Sequence, residues 1–153
     1  MQETCETLLI ESLGEALETM AFMSAMPPEE QEKALRPMQA VRARMTFSGP
    51  VKGEVEVMAG RAFVQMLAAN VLGVDESDPE AAQKGVDALQ EMVNTTCGIL
   101  LPQLVTPEND QFDVSLPESQ EADEATWEAF VSDGATELDV EGELVAVRLR
   151  IEA

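Results

Sequence analysis

Histidine and tyrosine are absent from this 153-residue chain, cysteine occurs twice, tryptophan once, and lysine and arginine together number 9. Each shortage closes a class of function. Without histidine there is no triad-type general base and no imidazole ligand. Cys5 and Cys97 lie too far apart for a zinc or redox motif, so no metal site is expected in this chain. Cys97 falls where a helix needs a small apolar residue, which reads as packing rather than as a reactive thiol. So few cysteines suit a reducing compartment. The 9 basic residues face 30 acidic ones, giving a formal charge of -21. Such a surface repels phosphate backbones and anionic headgroups, so neither nucleic acid nor a membrane is an expected partner. No apolar run is long enough to span a bilayer, and residues 1–6 lack the basic and apolar start of a secretory signal, so the expected location is cytoplasmic. There is also no GxxxxGK[ST] loop, no GxGxxG and no GxSxG, and the acidic loop at Asp75 lacks the glycine and the twelfth-position Glu of a calcium hand. Among 30 carboxylates, acid pairs at glycosidase spacing arise by chance and carry no weight.

What is present is acidic and locally so: residues 85–147 hold fifteen Asp and Glu and no Lys or Arg. Such a run either solvates a surface or steers a basic partner towards it. The chain length suits one domain over residues 1–153.

Leu8, Leu9, Ser12, Leu13, Ala16, Leu17, Met20 and Met23 recur at helical spacing, predicting an amphipathic helix that ends before Pro27-Pro28. A polar stretch over 29–33 leads to a change of period at Val41. There Val41, Ala43, Met45 and Phe47 alternate with Arg42, Arg44 and Thr46, then Val51, Gly53, Val55 and Val57 with Lys52, Glu54 and Glu56. This predicts a hairpin in which Phe47 faces Val51, Ala43 faces Val55, Arg44 faces Glu54 and Arg42 faces Glu56. A second helix is expected over 61–72, closed by Gly73. A third runs from an Asp78 N-cap and Pro79 to about Leu101, with Val86, Leu89, Val93, Cys97, Leu100 and Leu104 as its buried stripe and Gly98 and Pro102 disturbing its end. Strands are expected over 112–116, 127–132 and 144–151, with 118–125 as an acidic connector. Trp127 reads as packing or interface area. The order implies an α+β domain, an antiparallel-rich sheet with helices packed on one face.

On the third helix Asp87, Glu91, Asn94 and Gly98 fall at steps of four, three and four, opposite the buried stripe. Asn and Gly are both poor helix formers, and this helix takes both within about one turn. Of the three asparagines only Asn94 has Glu three residues before it. Alone, such a pair means little. Its framing is more specific. Glu91-Met92-Val93-Asn94-Thr95-Thr96-Cys97-Gly98, the hairpin from Met45 to Gly53, the helix end Val71-Leu72-Gly73 and Phe112-Asp113-Val114-Ser115-Leu116-Pro117 resemble the CheC, CheX and FliY chemotaxis phosphatases over most of the chain.

The resemblance implies a CheC/CheX-like fold and an aspartyl-phosphate phosphatase acting on a CheY-like response regulator, with the regulator bringing Mg²⁺, a Lys and a Thr, and no cofactor held by this chain. It implies that Asn94 positions the attacking water and Glu91 anchors the regulator's lysine, with Asp87 and Gly98 on the docking face. Glu11 is followed at the third position by Gly14 and Glu18 by Ala21, so no second Glu and Asn pair stands in the first helix. This favours the CheX branch, one site per chain, and a homodimer. Ile99 and Pro102 depart from the more polar residues of relatives. The competing reading is a non-catalytic adaptor that binds a phosphorylated regulator or a flagellar switch component through the same helix.

Overall fold

The computed structural model describes residues 2–30 and 36–152. Residues 31–33 of the polar stretch expected over 29–33 lie outside the described residues. The order is α1 (Gln2–Ala21), β1 (Ala25–Met26), β2 (Gln39–Ser48), β3 (Lys52–Gly60), α2 (Arg61–Leu72), α3 (Pro79–Gln83), α4 (Gly85–Leu100), a 3-10 turn (Leu101–Leu104), β4 (Asp113–Val114), β5 (Glu118–Asp123), α5 (Glu124–Ser132), β6 (Thr136–Val140) and β7 (Glu143–Glu152). The sheet runs β1-β6-β7-β3-β2, with β4 and β5 both along the outer edge of β2 and every pairing antiparallel. The expected α+β architecture is the one observed.

Period-two strands and 3.6-period helices meet in one main core. Leu9, Leu13 and Leu17 of α1, Phe63 and Leu67 of α2, and Leu89, Val93 and Leu100 of α4 bury against Val41, Ala43, Met45, Val55, Val57, Val145 and Val147 of the sheet. Residues between these on the strands face the other side, where α5 covers part of the sheet. Trp127 and Phe130 pack there on Ala40, Met58, Leu144 and Ala146. The three long helices thus share one face, and the late helix α5 takes the second.

Several expectations need correction. The hairpin register is displaced by two: Phe47 faces Gly53, Ala43 faces Val57, Arg44 faces Glu56 and Arg42 faces Met58. A slip of two keeps every side chain on its face, so the apolar pattern cannot detect it. The ion pairs did not decide the register either, because Arg42–Glu56 and Arg44–Glu54 are both made, on the diagonal. Gly53 is the residue that fits, since a Cβ there would collide with the Arg150 carbonyl of β7.

The strand expected over 127–132 is helix α5. Asp123 caps it by accepting from the Thr126 backbone N–H at 2.8 Å and its hydroxyl at 2.7 Å, an N-cap interaction that overrides the β propensity of Trp, Phe and Val. The acidic connector of 118–125 is instead largely strand β5, an exposed edge where charge is tolerated. Arg44 and Arg61 of neighbouring elements pair with its Glu118 and Glu121. The strand over 112–116 contracts to Asp113–Val114. The single third helix is two, broken at Lys84, whose φ of -100° and ψ of 6° leave the helical region. Gly85 follows because a Cβ there would lie 2.9 Å from Val64 of α2. Asp78 does cap α3, accepting from the Glu80 N–H, with Pro79 in its first turn.

Trp127 is fully buried and donates from Nε1 to Glu137 at 2.8 Å, and Arg36 closes on the same carboxylate with bonds of 2.8 and 2.7 Å. Beside it, buried Glu56 binds Arg42 and Arg148, whose guanidinium carbons stand 5.7 and 4.9 Å from the centre of the Phe130 ring. Cation–ring contacts and charge pairing together fasten α5 to the sheet.

Candidate functional site

Helix α4 is held on nearly every side but one. Leu89, Met92, Val93, Thr96, Cys97 and Leu100 are buried. The Thr96 hydroxyl donates to the Met92 carbonyl at 2.7 Å, which satisfies a buried polar group within the helix. Gln90 donates from Nε2 to the Ser119 hydroxyl at 2.8 Å, tying the helix to β5. Burial pushes the Cys97 thiol up to about 12, so it stays protonated and is a packing residue.

The remaining stripe carries the four sequence-selected residues. Asp87, Glu91, Asn94 and Gly98 are all exposed. Their spacing on a continuous α-helix puts Glu91 and Asn94 on adjacent turns of one face. Asp87 pairs with Lys84 at 3.8 Å, which occupies it locally. The Thr95 hydroxyl makes a long 3.5 Å contact with Glu91. No described residue forms a hydrogen bond with the Asn94 amide, so its donor and acceptor both face solvent. A Cβ at Gly98 would meet nothing within 4 Å. Packing within this chain therefore does not require glycine there, although glycine costs a helix interior about 1 kcal/mol relative to alanine.

Two partners escaped the sequence reading. Gln90 and Thr95 flank the pair at half-buried positions, where their side chains reach a neighbour instead of solvent. The signal for Gln90 was its place next to the buried stripe, but its partner Ser119 lay in a segment read as a connector.

Chemically the stripe offers the Glu91 carboxylate, a second carboxylate at Asp87 paired with Lys84, one free amide and a bare patch of backbone, set on a rigid base. Among the described residues no three His, Cys, Asp or Glu side chains converge as a metal site, and no helix is long and apolar enough to cross a membrane. An amide can orient a water and a carboxylate can hold a cation, but neither activates a substrate by itself. Such a surface is suited to completing a reaction centre supplied mostly by a partner.

Comparison with known proteins agrees with this description. The family described as "Chemotaxis phosphatase CheX" matches residues 41–138, a span that includes the hairpin, α4 and α5. Among solved structures, the chain is similar to a putative chemotaxis protein from Desulfovibrio vulgaris Hildenborough (TM-score 0.71, 17% identity, 97% of each chain covered). It is also similar to a chemotaxis protein CheX from Desulfovibrio desulfuricans (TM-score 0.68, 14% identity, 97% of this chain and 99% of that one). A third is CheX in the CheX-CheY-BeF3-Mg²⁺ complex from Borrelia burgdorferi (TM-score 0.62, 16% identity, 97% of each). At these identities the structures establish the fold. Comparison with curated protein sequences finds no match. With the family profile covering well over half of its length and the fold shared end to end, this chain belongs to the CheX chemotaxis phosphatase family.

Proposed function

We propose that this chain hydrolyses the phosphoaspartate of a CheY-like response regulator, with Asn94 and Glu91 as its working residues. The observation that carries the reading is the Asn94 amide itself: exposed, without a hydrogen-bonding partner among the described residues, and one turn from a carboxylate on a helix whose opposite face is locked in the core. In a CheX-family chain, a helix kept this open is suited to insertion into a partner's active site.

In the proposed step the Asn94 amide accepts from and donates to a water placed in line with the phosphorus. The water oxygen forms a bond to phosphorus as the bond from phosphorus to the aspartyl oxygen breaks, giving inorganic phosphate and a free carboxylate. Phosphoryl transfer of this kind depends on positioning and charge stabilisation more than on a strong base, so the absence of histidine is no obstacle. Mg²⁺, expected on the regulator, would neutralise charge on the phosphoryl oxygens. Glu91 faces the regulator's lysine and orients the two proteins. Asp87 and Gly98 extend the contact, the first by charge and the second by admitting the partner close to the backbone. The solved Borrelia burgdorferi relative, described as a complex with CheY, BeF3 and Mg²⁺, supports the choice of partner.

The acidic run over 85–147 supports electrostatic steering of a regulator with a basic rim. We extend the proposal to a homodimer formed through the sheets of the two copies. Because each chain carries -21, self-association should strengthen with salt. A sedimentation mass of one chain at every salt concentration would contradict it.

Kinetics of the two single variants test the assignment. Asn94→Ala should lower kcat about 100- to 1000-fold, the typical effect of losing one transition-state contact. Glu91→Ala should act mainly through KM, since it holds the partner in both ground and transition states. Unchanged turnover in Asn94→Ala would refute the water-positioning role.

A further inference from the structure

The sheet edge beside α4 carries apolar side chains that no described residue covers. Leu116 is 85% exposed and Val114 51%, an unusual cost for an edge that is otherwise acidic. Neither side chain is needed to pair the edge, which is held by the backbone of Val114 and Asp113 against Phe47 and Ser48. Ser115 adds to it, its N–H donating to the Thr46 carbonyl at 2.9 Å while its hydroxyl accepts from the Thr46 N–H at 2.9 Å. Val114 stands opposite Phe47. Phe47 lies in the helix-side core, and cross-strand partners share a face, so Val114 is on the side of the sheet that carries α4.

The edge and the helix run alongside each other. Gln90 of α4 is bonded to Ser119, which faces Ala43 of β2. From there the helix proceeds through Leu101–Leu104 towards Phe112, whose ring meets Phe47 edge-on at 5.8 Å between centroids. Ser119 faces Ala43 and Val114 faces Phe47, so Leu116, in the link between β4 and β5, lies two to three β2 positions beyond Ser119, roughly 7–10 Å or the rise of about five to seven helical residues counted from Gln90. Leu116 therefore comes level with the turn from Asn94 to Gly98.

We propose that Leu116 and Val114 form an apolar anchor for the same receiver domain that α4 engages, so that the docking surface is the helix plus this edge. The inference rests on the functional reading above. The occupant follows from continuity with the Glu91, Asn94 and Gly98 stripe and from charge: residues 85–147 hold fifteen acids and no Lys or Arg, and the cations beside them, Lys84 and Arg44, are already paired with Asp87 and with Glu54 and Glu118. A second copy of this chain would bring acid against acid here, whereas a domain with a basic rim and an apolar patch would not. An apolar contact of this kind supplies affinity that polar groups on a wet helix do not.

The test uses the full chain and a response regulator that the wild-type protein dephosphorylates, held in its Mg²⁺ and beryllofluoride form. Val114→Ser/Leu116→Ser should weaken binding by about tenfold or more by calorimetry, with no change in sedimentation mass. Met38→Ser serves as the control, because Met38 is 76% exposed at the opposite end of β2 and its loss should leave affinity as it was. Binding within twofold of wild type in the double variant overturns the anchor. A changed oligomeric mass with unchanged regulator affinity also overturns it and assigns the edge to a second copy. If the wild-type chain neither binds nor dephosphorylates any regulator, the functional reading falls and the anchor with it. If wild type is active and the double variant binds as wild type does, the anchor alone falls.

Discussion

Replacing Gly98 with alanine should make the protein more stable and a poorer phosphatase. The stability part follows from the helix. Gly98 lies inside α4, and a methyl there would have no heavy atom within 4 Å. Alanine should then give the full helix-propensity gain of about 0.8–1 kcal/mol. For a domain of this size that is a rise in Tm of roughly 2–4 °C. The activity part follows from the docking surface. If a receiver domain packs against the bare backbone at Gly98, one inserted methyl overpacks the interface, costing about 1–3 kcal/mol, or roughly fivefold or more in affinity. Gly14 supplies the comparison. It too sits within a helix with nothing near its Cβ direction, but on α1, outside both the Asp87 to Gly98 stripe and the Val114 and Leu116 edge, so Gly14→Ala should raise Tm by a similar amount and leave phosphatase kinetics as in wild type. Thermal melts followed by circular dichroism, together with steady-state phosphate release, read both quantities. A Gly98→Ala protein that is both stabilised and fully active would refute the claim that glycine is kept there for a partner. A destabilised one would refute the packing argument.

Other predictions concern the scaffold and the site. Glu137 receives Trp127 and both arms of the Arg36 contact, so Glu137→Leu should destabilise by about 3–5 kcal/mol in urea titrations, as expected when one partner of a buried charge network is removed. A loss under 1 kcal/mol would show that the network is not structural. The pH profile of stability should pass through a maximum on the acid side of neutral. Burial, then the neighbouring Glu56, hold the Glu54 pKa above its ordinary value; a raised carboxyl contributes stability below its unfolded pKa that is lost as pH rises through the folded one. Burial pulls Glu56 the same way, but hydrogen bonds from Arg42 and Arg148 outweigh it and leave its pKa lowered. Its contribution exists above the unfolded pKa and disappears as pH falls through the folded one, and the lowered Asp75 and Asp123 act likewise. Tm should therefore rise slightly from pH 7 to about 5 and fall below about 4; a steady fall from pH 7 would contradict this.

The sequence disclosed most where one pattern controls the outcome. Helix α1 and the buried stripe of α4 follow from spacing alone, since a helix that must bury one side repeats its apolar residues at that period. The exposed stripe from Asp87 to Gly98 was legible for the same reason in reverse. What failed was whatever depends on a neighbour. The hairpin register rests on Gly53 passing the Arg150 carbonyl of β7, a strand nearly a hundred residues on. The strand expected over 127–132 rests on Trp127, Phe130 and Val131, which favour one, whereas the Asp123 cap that decides for helix α5 looks in the sequence like part of an acidic loop. Strand β6 went unread because it has few apolar residues and is joined to β7 through Glu141 at a φ of 52° and Gly142 at 88°. Such a turn is more readily announced by Asn-Gly than by Glu-Gly. Likewise β5 is recognisable as a strand only once Arg44 and Arg61 are seen beside its carboxylates.

Phosphate release from a panel of Mg²⁺-loaded response regulators charged with acetyl phosphate, measured with and without this protein, tests whether the chain is a phosphatase. Acceleration of phosphate loss from at least one regulator, beyond its own rate, is the result expected. Tight binding to phosphorylated regulators with no acceleration of any of them would contradict the claim and leave an adaptor that uses the same helix.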